Sequence, residues 1–425
     1  MNPPPSPLYK HADFRRLWIG QTISETGSHV SLLAIPLVAV LVLRANAFQV
    51  GLLGTFEYLP FLLVGLPAGV WVDRLPHRAV MIVADAGRCV ALGSIPLVSA
   101  LGHLVLFQLY VVGFLTGVLT VFFDVAYQSY LPSLIDRGRL VEGNSRLEFT
   151  RATTEIAGPG IGGVLVRLVG APLAVTADAL SYVASVIFLV RIRARPAPPS
   201  REGRQSLWTE LREGFGYVTR HRVLRSVAAC TSWSNLVGNG AQAIIILFAV
   251  QELGLGPALI GLWFAVGSAG APVGALLASR LVRRVGTGRA IIVSACAFSV
   301  AWIPVAFAPR SNPLPFLIAS GLLGSAFGVS YNIIQVSMRQ AITPHHLLGR
   351  MNATMRFFVW GTIPLGAFLG GVLGSVMGLR PAIIVFAFAY LLAPLPVLLA
   401  PVRRLRDVDS LMPPSDADLA LESAR

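Results

Sequence analysis

The sequence predicts an all-α integral membrane protein whose twelve transmembrane helices form two pseudo-symmetric six-helix bundles. Three observations carry this. Hydrophobic residues make up 55% of the chain and charged residues only 13%, with a mean hydropathy of +0.70, a balance that cannot cover a water-exposed surface but suits a lipid-facing one. The apolar residues fall into runs long enough to cross a bilayer. A stretch also recurs: Gly158-Pro159-Gly160-Ile161-Gly162-Gly163-Val164-Leu165 returns 208 residues later as Gly366-Ala367-Phe368-Leu369-Gly370-Gly371-Val372-Leu373. At that offset Asn144, Phe149, Thr154, Gly158, Gly162, Gly163, Val164, Leu165 and Gly170 all meet identical residues, where average composition would give roughly two such matches. The chain therefore reads as a duplication, the plan of many secondary transporters.

In chain order the predicted spans are 17–43, 49–72, 79–101, 104–125, 147–169 and 172–191 in the first half, then 226–250, 258–281, 289–308, 314–338, 352–377 and 380–400 in the second. They are called spans 1 to 12 below. Span 1 is too long for a cleaved signal, and no small-residue cleavage site precedes a soluble domain. The expected organisation is an N-terminal tail (1–16), a six-helix bundle (17–191), a linker (192–225), a second bundle (226–400) and a C-terminal tail (401–425). Residues 1–7 and 406–425 are Pro-rich or polar and are expected to lack structure. In the linker, Pro196, Pro198, Pro199 and Gly203 precede Leu207, Leu211, Phe215 and Val218, which recur at helical spacing with Arg212, Arg220 and Arg222 elsewhere. This suggests an amphipathic helix on the membrane surface, or equally an ordinary solvated linker helix.

The loops differ in charge. On one side the only basic residues are Arg44, Arg167, Arg310 and Arg380; the other holds Lys10, Arg15, Arg16, Arg74, Arg78, Arg137, Arg139, the cluster from Arg191 to Arg225, Arg283, Arg284, Arg350 and Arg403 to Arg406. The positive-inside rule makes that side, and both termini, cytoplasmic. The net charge of +14 is thus a matter of orientation, and nucleic acid is not an expected partner. Lys10 is the only lysine and no Walker A loop surrounds it, which excludes a built-in P-loop ATPase. Cys89, Cys230 and Cys296 are far apart and offer neither a redox pair nor a metal site.

After span 2 comes Gly69-Val70-Trp71-Val72-Asp73-Arg74-Leu75-Pro76-His77-Arg78. Here the sequence resembles the major facilitator superfamily, whose signature between helices 2 and 3 is a Gly, three residues, Asp-Arg and further basic residues. Gly69, Asp73, Arg74 and Arg78 match; Pro76-His77 lacks the loop Gly, as in the branch that includes macrolide-efflux and enterobactin-export proteins. Gly69 is expected to let span 2 approach its neighbour closely, and Asp73 to sit at the positive N-terminus of span 11 as a conformational latch. The resemblance also implies a charge network in which Asp124, at the end of span 4, joins Arg74 or Arg78; solvated punctuation is the alternative for Asp124. The corresponding loop of the second half, from Gly274 to Gly286, keeps its basic residues but has no acid, so one latch of this kind is expected. In span 5, Gly158-Pro159-Gly160-Ile161-Gly162-Gly163 resembles the antiporter motif of exporters in this superfamily, with Thr154 where an upstream Gly is usual. Pro159 bends the helix, Gly158 and Gly162 lie one turn apart and permit close packing, and Gly163 completes the motif. The motif favours export, although tight packing alone would also use it.

Charged groups inside apolar spans cost several kcal/mol if they face lipid unpaired. Asp85 and Arg88 in span 3, three apart, read as a local ion pair, and Arg151 and Glu155 in span 5 as another. Asp178 lies in span 6. Glu25 and His29 in span 1 and Glu57 in span 2 lack a local partner and are the candidates for proton coupling or for contact with a cationic substrate, Glu57 first; a hydrogen-bonded packing role is the alternative for each. Asn235, Asn239 and Gln242 in span 7, and Tyr331, Asn332 and Gln335 in span 10, are candidate polar contacts for a cavity, with helix-to-helix hydrogen bonds the alternative.

The resemblance, which covers nearly the whole chain, implies a major facilitator transporter. The expected function is export of an amphipathic small molecule, such as a drug, an antibiotic or a siderophore, across the bacterial inner membrane by proton antiport, with the transporter monomeric and needing no cofactor or metal. A nutrient importer or proton symporter of the same fold is the alternative within transport. A sensor or a membrane-embedded enzyme would be another class, but the seven histidines form no HExxH motif and no serine sits in a nucleophile elbow.

Overall fold

A computed structural model describes residues 8, 11–72, 74–135, 139–193, 207–344 and 347–405. Among these there is no strand; the elements are helices. Ten are long and apolar enough to cross a membrane: Ala12–Val42, His77–Ala100, Leu106–Leu134, Ala171–Arg191, Arg222–Gln251, Pro257–Val285, Thr287–Ala306, Leu314–Ile342, Leu348–Met377 and Leu379–Leu399. They correspond to every predicted span but 2 and 5. Span 2 is divided into Ala47–Leu63 and Gly65–Val72, because Pro67 has no N–H to give the carbonyl four residues back and the ladder lapses there. Span 5 is the helix Leu140–Val169, whose first half is made hydrophilic by Glu142, Arg146, Glu148, Arg151 and Glu155.

Helix ends follow from local chemistry. Span 1 starts at Ala12, upstream of its apolar run, because His11 Nδ1 accepts the Phe14 N–H at 3.2 Å and so replaces a missing intrahelical partner. Span 2 opens with a capping box in which Asn46 and Gln49 each accept the other's backbone N–H, at 3.0 and 2.9 Å. The turn between spans 5 and 6 is Gly170 at φ 85°, and that between spans 11 and 12 is Gly378 at φ 88°. These two glycines are equivalents in the duplication, and a left-handed backbone that side chains resist is why both copies kept glycine. Side chains such as Val376 and Leu399, 79% and 85% exposed, belong in hydrocarbon.

The chain packs as two compact units. Unit 1 holds Met1–Glu202 with Gln242–Ala265 and Ala367–Leu379. In it span 1 packs on spans 5 and 6, span 3 on spans 4 and 6, and span 2 on span 4. Phe14, Leu17, Met81, Phe123, Tyr130 and Ile192 form the core at its arginine-rich end. The recurring glycines have matching tasks here. A Cβ on Gly163 would stand 2.9 Å from the Gly261 Cα, and one on Gly371 would stand 3.0 Å from the Gly51 Cα. Gly163 and Gly371 are equivalent positions, so the duplicated motif makes the same glycine-on-glycine crossing twice, against span 8 and against span 2.

Unit 2 holds Gly203–Ala241, Val266–Gly366 and Arg380–Arg425. Spans 8 and 9 pack on span 10, over a core that includes Val227, Ile291, Ile334, Met338, Met351 and Met355. Cys230 is buried in it, and all three cysteines are free. The linker helix is Leu207–Arg220. Its Val218 joins that core, Tyr217 Oη donates to the Ile342 carbonyl at 3.1 Å, the Phe215 ring lies 5.3 Å from that of Phe358, and Arg350 pairs with Glu213. Val218 is thus spent on protein while Phe215 stays half exposed, and Gly214 permits close approach to the Arg350 carbonyl.

Candidate functional site

Charged residues from each of spans 1 to 4 and 6 line one cavity of about 380 Å³ within unit 1. Span 1 supplies it from a single face, since Gln21, Glu25 and His29 are spaced four apart. Gln21 Nε2 donates to Glu25 Oε1 at 3.0 Å. His29 is held from behind by Gly158, the first glycine of the span 5 motif, where any Cβ would collide with the His29 Cβ. Span 2 brings Glu57 with Tyr58 and Phe61. Glycines on span 4 make the room for Glu57: a Cβ on Gly113 would be 3.0 Å from the Glu57 Cγ, and one on Gly117 would be 2.5 Å from its carbonyl oxygen.

Opposite, Arg88 pairs with Asp85 along span 3, as its spacing predicts. The guanidinium is 5% exposed, lies 4.4 Å from the centroids of both the Phe123 and Tyr182 rings, and reaches the cavity wall. Two such cation–π contacts hold a charge where water reaches it little. Asp178, 1% exposed on span 6, accepts hydrogen bonds from Ser181 Oγ at 3.2 Å and Ser28 Oγ at 3.5 Å. Ser28 Oγ also meets the Tyr182 hydroxyl at 2.9 Å. Asp124 lines the same cavity and interacts electrostatically with Arg88. A second, open cavity of about 730 Å³ shares Gln21 and Glu25 with the first and is walled by Tyr127, Asn144, Glu148 and Arg151. Glu25 thus stands where the two meet.

The structure brings Glu25, His29 and Glu57 together around one space. It adds Arg88, Asp178, Tyr182 and Asp124, which sequence reasoning treated as a local pair, passed over, or placed elsewhere. The cost of an intramembrane charge was the signal available for Arg88 and Asp178; the direction each faces depends on helix rotation. Arg151 pairs with Glu148 at 2.6 Å and reaches Glu155 only through its charge, so the ion pair runs to the i, i+3 neighbour on the N-terminal side.

Of the expected latch, Asp73 lies outside the described residues. Arg74 is exposed, and Arg78 donates Nε to the Leu189 carbonyl at 2.8 Å and Nη2 to that of Val190, tying the loop to the end of span 6. Gly69 does not make the close approach expected of it: no described atom lies within 4 Å of where its Cβ would be. The tight crossing on span 2 is at Gly51. In unit 2, Asn235 Nδ2 donates to the Val359 carbonyl at 2.9 Å, Asn239 Nδ2 to the Asn235 carbonyl at 2.9 Å, and Gln335 Nε2 to Asn332 Oδ1 at 3.0 Å. The Tyr331 and Thr231 hydroxyls meet at 2.8 Å. Asn332 and Gln242 are exposed. None of the six lines the cavity of spans 1 to 4 and 6. Among the described residues no cluster of three or more His, Cys, Asp or Glu side chains could hold a metal ion.

Comparison with known proteins agrees with this architecture. The chain is 27% identical over 400 residues to the multidrug efflux pump Tap of Mycolicibacterium fortuitum, spanning 90% of this chain and 94% of that protein. It is 25% identical over 414 residues to the enterobactin exporter EntS of Salmonella choleraesuis, spanning 96% and 97%. Among solved structures, a bacterial homologue of the iron transporter ferroportin in its inward-facing state superposes with a TM-score of 0.73 at 17% identity, over 91% of this chain and 98% of that one; at that identity the likeness concerns the fold. The family model described as transmembrane secretion effector matches residues 3–423. The chain belongs to that family, and is a multi-pass membrane transporter of the major facilitator fold, not an enzyme.

Proposed function

We propose that this protein exports an amphipathic small molecule across the bacterial inner membrane by proton antiport and alternating access, working as a monomer with both termini in the cytoplasm. The observation that carries this reading is the convergence of Glu25, His29 and Glu57 on one partly enclosed cavity, since a group that exchanges protons must reach water and yet be shielded from it. The full-length relatives named for drug efflux and siderophore export support the direction and the substrate class, and the span 5 glycine motif supports export. The arginine-rich side is the cytoplasmic one. Glu57, set among apolar residues and the span 4 glycines, is the first choice for the exchanging carboxyl; in antiport its two protonation states favour different conformations or occupancies. Asp73, Arg74 and Arg78 would bias that conformational equilibrium without touching substrate, and Asp124 would do so from the cavity wall.

Everted membrane vesicles containing the protein, with ethidium as probe, test the reading. An acid lumen should drive ethidium uptake, and ethidium should discharge the gradient. Vesicles indistinguishable from empty ones overturn export of this class. Glu57→Gln should keep downhill equilibration and lose uphill uptake. If uphill uptake keeps its normal pH dependence, Glu57 is structural and the role passes to Glu25, then His29.

A further inference from the structure

We infer that Asp178 is a second proton-binding group, separate from Glu57, which holds a proton while its site is dry and returns it to water through the cavity it lines. The argument begins with charge. Among the described residues Arg88 is the one guanidinium in the cavity wall, and it interacts with three carboxylates, those of Asp85, Asp178 and Asp124. Asp85, its i, i+3 neighbour, takes the direct ion pair. Contacts with the Phe123 and Tyr182 rings hold the guanidinium beside Asp85, and it acts on Asp178 through its charge and not through a hydrogen bond. Among the described residues Arg88 Nε and Asp85 Oδ2 are both buried without a hydrogen-bond partner, so the pair is not saturated.

Asp178 is left with hydroxyl donors, one of them at 3.5 Å and shared with Tyr182. A carboxylate that is 1% exposed, hydrogen-bonded to neutral donors and sharing its one nearby guanidinium with the directly paired Asp85, is poorly stabilised as an anion, and binding a proton relieves it. A metal cation would relieve it too, but serine hydroxyls turned as donors toward the carboxylate are a poor cation cage. The proton comes from water and goes back to water; no other bond changes. The other charged groups do not supply the missing counter-charge. Span 1 presents Glu25 and His29 to the cavity, span 2 Glu57, span 3 Arg88 with Asp85 paired behind it, and span 4 Asp124. On span 5, which also packs on span 6, Arg151 is turned to Glu148. Gly27 lets Asp178 lie against the backbone of span 1, since a Cβ there would be 2.8 Å from Asp178 Oδ1. Binding or loss of the proton therefore acts on the seam where spans 1, 3 and 6 meet.

The inference rests on the proton-antiport reading for its use, but its test needs no substrate. The full-length protein in phosphatidylcholine liposomes is titrated between about pH 5 and 9 while infrared difference spectra follow the carbonyl band of protonated carboxyls, the ratio of the two forms changing about tenfold per pH unit. One titrating band should vanish in Asp178→Asn and remain in Glu57→Gln. Dicyclohexylcarbodiimide, which attacks protonated carboxyls, should label Asp178 of the wild-type protein in a pH-dependent way, as read from peptide masses; this arm stands if Asp178→Asn fails to fold. A difference spectrum unchanged by Asp178→Asn, no adduct on Asp178 at any pH, or an effect of sodium at fixed pH in place of the proton titration would overturn the inference. Any of these would leave ethidium export untouched, just as absent export would leave the titration untouched.

Discussion

Replacing Gly163 by Ala adds one methyl group at the crossing of spans 5 and 8. That methyl would stand 2.6 Å from the Pro257 carbonyl oxygen and 2.9 Å from the Gly261 Cα. Carbon atoms in ordinary contact are about 3.5–4.0 Å apart, so the backbones must separate by roughly 0.6 Å or more. Both obstructing atoms are main chain and cannot swing aside as a side chain would. Overpacking of this kind costs about 1–3 kcal/mol. The arrangement seen here should therefore lose about 5- to 150-fold in population against any in which these helices lie farther apart. Gly160 is the internal control: a Cβ there meets the Ala265 Cβ at 3.4 Å, an ordinary contact. Thermal unfolding of the purified protein and ethidium efflux from cells at equal expression measure the two effects. Gly163→Ala should melt lower and transport differently from wild type, and Gly160→Ala should match wild type. If the two variants behave alike, the crossing is not tightly packed and the reasoning fails.

Gly158→Leu should impair efflux more than Leu165→Ala, because it displaces His29 from the cavity wall, whereas Leu165 is only half-buried; equal efflux would count against this. Asp73→Asn and Arg74→Ala should leave membrane insertion intact, as judged by immunoblot, and slow efflux; wild-type rates in both would remove the latch. In the linker, Gly214→Leu should loosen the helix from residues 342–358 and quicken trypsin cleavage after Arg220, while Glu213→Gln should change little, because an exposed ion pair is worth only about 0–1 kcal/mol; the reverse order would refute the packing account. Burial lowers the pKa of His221, whose Nδ1 accepts the Leu224 N–H at 3.4 Å. A lowered folded-state value means that its contribution to docking is present above the ordinary histidine value of about 6.5 and is lost as pH falls through the lower one. Proteolysis at the linker should accelerate on acidification in wild type and less so in His221→Gln.

Hydropathy and the repeat were enough to predict a helical membrane protein built by duplication, because crossing hydrocarbon is a local demand: each span must satisfy its own backbone and be apolar over its own length. The ion pair of Asp85 with Arg88 was legible for the same reason, its partners lying within one turn. The equivalence of Gly170 and Gly378 was visible as identity, and their positive φ supplies its cause. What each intramembrane charge faces was not legible. Glu57, Asp178 and Arg88 come from spans 2, 6 and 3, and they share a cavity only because helix rotation and crossing angle turn them inward together. Those angles are set by small residues distant in sequence, such as Gly113 and Gly117 beneath Glu57 and Gly27 beneath Asp178. For the same reason Gly69, marked by its motif, has open space beside it, while Gly51, which no motif marks, bears against Gly371. Sequence determined which residues enter the membrane; tertiary packing decided which of them meet, because meeting depends on the rotation of whole helices and not on the chemistry of any one position.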